Sequence, residues 1–210
     1  MEDFSKQELA LLKKLSTPRK IQDFLDGLSM NFSENGHTCY SPRMVLREKK
    51  AQCMEGAMLA AAALRLAGYP PLIMELKSVQ KDDDHVLAVF QIDGCWGAIT
   101  KTNHGVLRYR EPIYKNLREL AMSYFHEYFL HDGTKTMRSY SVPLNLSRFD
   151  AKNWMTSEKP LWYIVQHLDQ VTHHDVLTRS QIARLRKADV IEREMGKIIE
   201  WKATNKRSKN

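Results

Sequence analysis

Apolar and charged residues alternate along "FSKQELALLKKL" in a pattern that predicts a short helix, with Ser5 placed to cap it. "STPRKIQDFLDGL" reads as a second helix, opening near Pro18 and closing at Gly27. Residues 31 to 50 are polar and irregular, with Asn35-Gly36 as a turn signal. A third helix is predicted from Cys53 to Gly68, where "GYPP" stops it. Its interior is almost all alanine.

The pattern then changes period. "LIMELKSV" is short and apolar enough for a strand. "HVLAVFQIDGCWGAITKT" reads as a hairpin, because Asp93-Gly94 suits a type I′ turn between β-branched and aromatic residues. "GVLRYR" is a candidate further strand. Pro112 reads as opening a helix through Leu117, Leu120, Ala121, Tyr124 and Tyr128 that ends near Gly133. "SYSVPLNL" reads as extended, "KPLWYIVQHLDQV" as a helix, and "TRSQ" as a capping box leading into a long charged helix. Helices, then antiparallel strands, then helices make an α+β class, since a two-residue hairpin cannot belong to a parallel crossover unit.

Composition refines this picture. The 210 residues are 43% hydrophobic and 27% charged, with mean hydropathy −0.48, as in an ordinary globular protein able to bury a core without staples. No stretch approaches the roughly 18 apolar residues of a membrane span, and the acidic, mixed N-terminus does not read as a signal peptide. Three widely spaced cysteines without a CxxC pair argue for a reducing compartment, so a cytoplasmic location is expected. The net charge of +7 is concentrated: residues 176–210 carry ten Lys and Arg against four Asp and Glu. Trp201 is the one aromatic of that stretch, and acids interleave the bases. It reads as a solvated helix with a disordered basic end; no membrane partner is expected, and nucleic-acid contact through the basic tail is a third possibility that the interleaved acids disfavour.

Cys53 stands at the head of the alanine-rich helix, where small side chains let neighbouring elements pack close. The positive end of a helix favours a thiolate. A thiol nucleophile needs a base, usually an imidazole oriented by a third group. His85 begins the first hairpin strand. Counting outward from the Asp93-Gly94 turn places His85 opposite Thr102, with Thr100 diagonal on the same face and Lys101 on the other. A hydroxyl is therefore placed to orient the ring. The oxyanion donor is expected to be the Cys53 backbone N–H. Gln52 and Gln22 could add a side-chain amide, but nothing in the spacing singles either out, and both read as ordinary polar surface.

A Cys heading a small-residue helix that ends "LRLAGYPP", then a short strand, then "DHVLAVFQIDGCWGAI", resembles the transglutaminase-like superfamily, in its bacterial cysteine-proteinase form. The likeness covers about residues 18–110. It implies a papain-like α+β core, the Cys-bearing central helix packed on a small antiparallel sheet, with added C-terminal helices. It also implies a Cys-His-Asp triad acting on an amide or acyl bond, with Cys53 as nucleophile and His85 as base. The family's Asp would fall at residues 100–102, where this chain has Thr100-Lys101-Thr102. Asn103 is a fallback orienter that strand parity points the wrong way.

Cys95 and Cys39 read as bystanders. The "HHD" run at His173, His174 and Asp175 and the His126-Glu127 pair lack metal-ligand spacing, so neither a metal nor any other cofactor is expected. Arg108 and Arg110 could meet a substrate anion or simply brace an edge strand with ion pairs. The expected organisation is one domain over 1–175, with its motif region at 18–110 and a helical extension at 111–175, then a charged segment over 176–210. The expected function is a thiol-dependent hydrolase or acyltransferase with a peptide or amide substrate. The alternative is an inactive relative serving as a binding or scaffold module.

Overall fold

A computed structural model describes residues 4–32 and 38–202. The Asn35-Gly36 turn and the basic end beyond residue 202 lie outside them. Helix α1 (Lys6–Lys14) starts at Ser5, whose hydroxyl accepts the Glu8 N–H while Glu8 accepts the Ser5 N–H in return. Helix α2 (Pro18–Asp26) carries proline in its first turn and ends at Gly27. Strand β1 (Ser29–Met30) follows. Part of the stretch read as irregular is helix α3 (Pro42–Glu48), capped by Ser41. The Ser-Pro pair that starts it was the available signal.

Strand β2 (Lys50–Ala51) pairs in parallel with β1 and delivers the chain to α4 (Cys53–Leu66). That helix ends where Gly68 adopts φ 91° ahead of the two prolines. Strands β3 (Leu72–Lys77), β4 (His85–Ile92) and β5 (Cys95–Ile99) come next. Asp93 and Gly94 both have positive φ, 50° and 77°, and Ile92 faces Cys95, which is the expected type I′ hairpin and register.

Beyond the hairpin three expectations are corrected. Pro112 does not open a helix but lies within β6 (Arg110–Tyr114), at the sheet edge, where a missing N–H costs no ladder bond. The helix proper, α5 (Leu117–Phe125), is capped by Asn116 and ends well before Gly133, where the chain doubles back through a Phe129–Lys135 bridge. Strands β7 (Ser139–Ser141) and β8 (Leu144–Asn145), a 3-10 helix over Leu146–Lys152, helix α6 (Trp162–Gln170) and strand β9 (His173–Asp175) follow. The long charged helix expected from Thr178 is instead two short ones, α7 (Arg179–Ile182) and α8 (Val190–Gly196). Between them the Ala188 N–H donates to Gly133 O, a tertiary bond that pulls the chain out of helical geometry.

The main sheet has seven strands, all antiparallel, in the order β6-β5-β4-β3-β7-β9, with β8 also pairing with β3. One face packs Ile73, Val86, Ala88, Phe90 and Ile99 against the buried alanines of α4. The opposite face packs Met74, Leu87, Val89 and Ala98 against Leu120, Ala121 and Tyr124 of α5. The α+β class holds, with a wider sheet than expected. Among the described residues no helix is long and apolar enough to cross a membrane.

Candidate active site

Cys53 occupies the first position of α4, where a backbone N–H has no intrahelical acceptor. The first helical bond runs from the Gly56 N–H to Gln52 O. Glu55, fully buried, fixes this end: its carboxylate accepts the Gln52 N–H, the Tyr40 N–H, the Asn31 amide and the Thr38 hydroxyl, all at 2.7–2.9 Å. Helix, loop and β1 are thereby tied together around the thiol.

The small residue Gly56 has a specific purpose. A Cβ there would lie 2.5 Å from the Cβ of Lys101, so α4 and the segment just after β5 approach as closely as glycine allows. The Lys101 side chain runs past the helix to donate to Leu28 O at 2.5 Å. Burial lowers its proton affinity, countered by the Glu200 and Asp26 carboxylates. Lys101 thus faces α4, as strand parity predicts.

His85 and Thr100 take the other parity. The imidazole Nε2 meets the Thr100 hydroxyl oxygen at 2.5 Å, and both residues are buried. Thr102, the directly opposed candidate, does not partner the ring; its hydroxyl accepts the His104 N–H at 3.1 Å. The reason is that β5 ends at Ile99, so regular pairing stops before Thr102 comes opposite His85. Asn103 does not orient the ring either. Its side-chain amide is spent on both backbone groups of Trp201, at 2.9 Å each.

Gln22 is not surface. It is buried in α2, donating to Thr100 O at 2.9 Å and accepting the Thr100 N–H at 3.0 Å. Gln52 donates one amide hydrogen to Thr38 O at 2.7 Å, while both amide hydrogens of Gln22 are taken, by Thr100 O and Asp26. Glutamine alone in a sequence carries no signal for such a role; its distance from Thr100 along the chain hid it.

Cys53 and His85 line one cavity of about 730 Å³, with Tyr128 and Asp83 also on its wall. The thiol is half-buried and contacts the backbone N–H groups of Val86 and Met54. Val86 follows His85 directly, so the sulfur lies against the peptide unit that carries the imidazole. No hydrogen bond joins thiol and imidazole among the described residues. Burial raises the proton affinity of the thiol, those two N–H groups pull it back, and the Asp83 and Glu55 carboxylates raise it further. Burial lowers His85 to about 4, with the charge of His104 adding to the effect. The resting pair is therefore neutral thiol and neutral imidazole. With Nε2 engaged by Thr100, Nδ1 is the nitrogen without a protein partner among the described residues.

The other candidates have structural roles. Cys39 is buried, its thiol pushed up to about 12 by burial and the charge of Glu55. Cys95 is half-buried opposite Ile92. His173 bonds Glu75 at 2.9 Å, and His174 packs on Tyr140. Arg110 pairs with Glu127 at 2.7 Å and Arg108 with Glu200 at 2.8 Å, which fits the edge-bracing alternative. No protein-family model and no curated protein matches the sequence, so the transglutaminase-like resemblance rests on this chain's own residues.

Proposed function

We propose that the protein is a thiol-dependent hydrolase or acyltransferase acting on an amide bond, on a papain-like arrangement of helix and sheet. The observation that carries this reading is the His85 Nε2–Thr100 Oγ1 contact at 2.5 Å in the cavity that also holds the Cys53 thiol. In it His85 donates Nε2–H to Thr100 and keeps the Nδ1 lone pair for the thiol proton. As the proton passes to Nδ1, sulfur attacks the substrate carbonyl and a C–S bond forms. The Cys53 N–H stabilises the resulting oxyanion. Collapse breaks the C–N bond, and the amine leaves with the proton from Nδ1. Water or an amine, deprotonated by His85, then attacks the thioester and releases the thiol.

A neutral resting pair makes this general-base catalysis rather than attack by a preformed thiolate. The same neutrality, together with Thr100 in place of a carboxylate, favours the second reading, a non-catalytic binding module. The pH dependence of iodoacetamide alkylation at Cys53 separates them. The enzyme reading expects reactivity at neutral pH that drops in His85→Ala. Reaction only above the free-thiol value of about 8.5, unchanged by that substitution, would leave packing as the role of Cys53.

A further inference from the structure

Helix α8 contributes Arg193 and Gly196 to the wall of the cavity. The position of α8 is fixed on several sides. The Gly105 N–H donates to Ile198 O at 2.8 Å, His104 Nδ1 meets Gly196 O at 3.1 Å, and Lys135 pairs with Glu192 at 3.5 Å. Gly196 packs so tightly that an added Cβ would sit 3.1 Å from the Phe129 ring.

The Arg193 guanidinium held there is underused. Its Nε is buried with no hydrogen-bond partner, and among the described residues its Nη1 makes only a long 3.4 Å contact to His131 O. Among the described residues no carboxylate lies within ion-pair distance of it. Nearby acids on the cavity wall are committed elsewhere: Asp82 to the Thr136 hydroxyl, Asp84 to the Ser78 N–H, Glu127 to Arg110 and the Leu107 N–H. Asp83 has no hydrogen bond to its carboxylate among the described residues, and it acts on the thiol end. The cavity wall thus carries Asp82, Asp83 and Asp84 as well as Cys53, and it carries Arg193, which touches His131 O. The buried Nε is closed to a ligand, and it is the Nη end of the planar guanidinium that fits a carboxylate.

We propose that Arg193 binds a carboxylate of the substrate, so that the amide presented to Cys53 belongs to an acid-bearing molecule. This rests on the thiol-enzyme reading for the amide half, whereas the anion subsite stands on Arg193 itself. The C-terminal segment then supplies specificity to a site whose chemistry lies in the core.

The test is protection of Cys53 from iodoacetamide in the full chain. Succinamate, glutaramate, adipamate and suberamate are compared with their diamides, in which the carboxylate is replaced by a second amide. At least one acid-amide is expected to protect saturably and better than its diamide. Its protection constant should weaken about tenfold in Arg193→Gln, the loss expected for a charge-assisted hydrogen bond. Lys197→Gln, at a lysine paired with Glu194, keeps the protection. Equal protection by acids and diamides in the wild type overturns the proposal, whether or not the variant folds. If Cys53 does not react in the native protein, the thiol-enzyme reading fails. Calorimetric titration of the same acids and diamides then decides the anion subsite: selective binding of an acid supports it, and its absence overturns it.

Discussion

Gln22 grips Thr100 by both of its backbone groups, N–H to Oε1 at 3.0 Å and C=O to Nε2 at 2.9 Å, although the two residues lie 78 positions apart. Its amide also reaches Asp26 at 2.8 Å. Helix α2 therefore sets where the Thr100 hydroxyl stands, and Thr100 in turn sets the imidazole. Gln22→Ala leaves a buried donor and a buried acceptor without partners. It is expected to cost about 1–3 kcal/mol in urea unfolding and to lower Cys53 alkylation at neutral pH. Full stability and unaltered alkylation in this variant would remove Gln22 from the orienting chain.

The two threonines give a sharper comparison. Thr100→Val removes the hydroxyl that meets His85 Nε2, whereas Thr102→Val removes one that only accepts the His104 N–H. Alkylation at neutral pH is expected to fall severalfold in the first and to stay near wild type in the second. Thr100→Ser, which restores a hydroxyl, should recover part of the loss. Equal effects of the two valine variants would mean that the ring is not oriented through Thr100.

Gly56→Ala tests the close approach of α4 to the segment that follows β5. Alanine improves helix propensity by about 1 kcal/mol, while overpacking costs about 1–3 kcal/mol. The clash is with the Lys101 Cβ, not with a flexible side-chain tip. A net loss of about 1–2 kcal/mol is therefore expected by thermal or urea unfolding. A more stable variant would show that the helix and the Lys101 segment are not so tightly apposed.

His85 predicts an acid limb in stability. Its folded-state value is depressed from 6.5 to about 4, so the native state binds a proton less readily than the unfolded chain. Its contribution is complete above about pH 6.5 and is lost as pH falls toward 4, at most about 3 kcal/mol. Urea midpoints measured across that window should decline in the wild type and decline less in His85→Gln. Parallel profiles for the two proteins would show that the ring is not held neutral by its surroundings.

Local chemistry made much of the fold readable. The Ser5 cap with Glu8 three residues on, Pro18 in a first turn, and the Gly68-Tyr-Pro-Pro stop each fix backbone geometry within a few residues. The Asp93-Gly94 pair did the same for the hairpin, and with it the facing of Thr100 and Lys101 to opposite sides. Pro112 misled because proline suits both a helix start and an edge strand, and only sheet order distinguishes the two.

By itself, then, the sequence determined the thiol at a helix head, the imidazole at a strand start, and the parity that puts hydroxyls on the imidazole's face. Those depend on rules that act over one turn of helix or two residues of strand. Only the tertiary structure decided which threonine meets His85, because that turns on where β5 stops. Distant contacts settled the rest: Gln22 holds Thr100, Glu55 ties the helix end to its loops, and α8 brings Arg193 into the cavity. The reaction environment was not legible either. Desolvation sets the neutral resting state of Cys53 and His85, with nearby carboxylates adding to it at the thiol and the charge of His104 at the imidazole, and these are properties of packing between segments far apart in the chain.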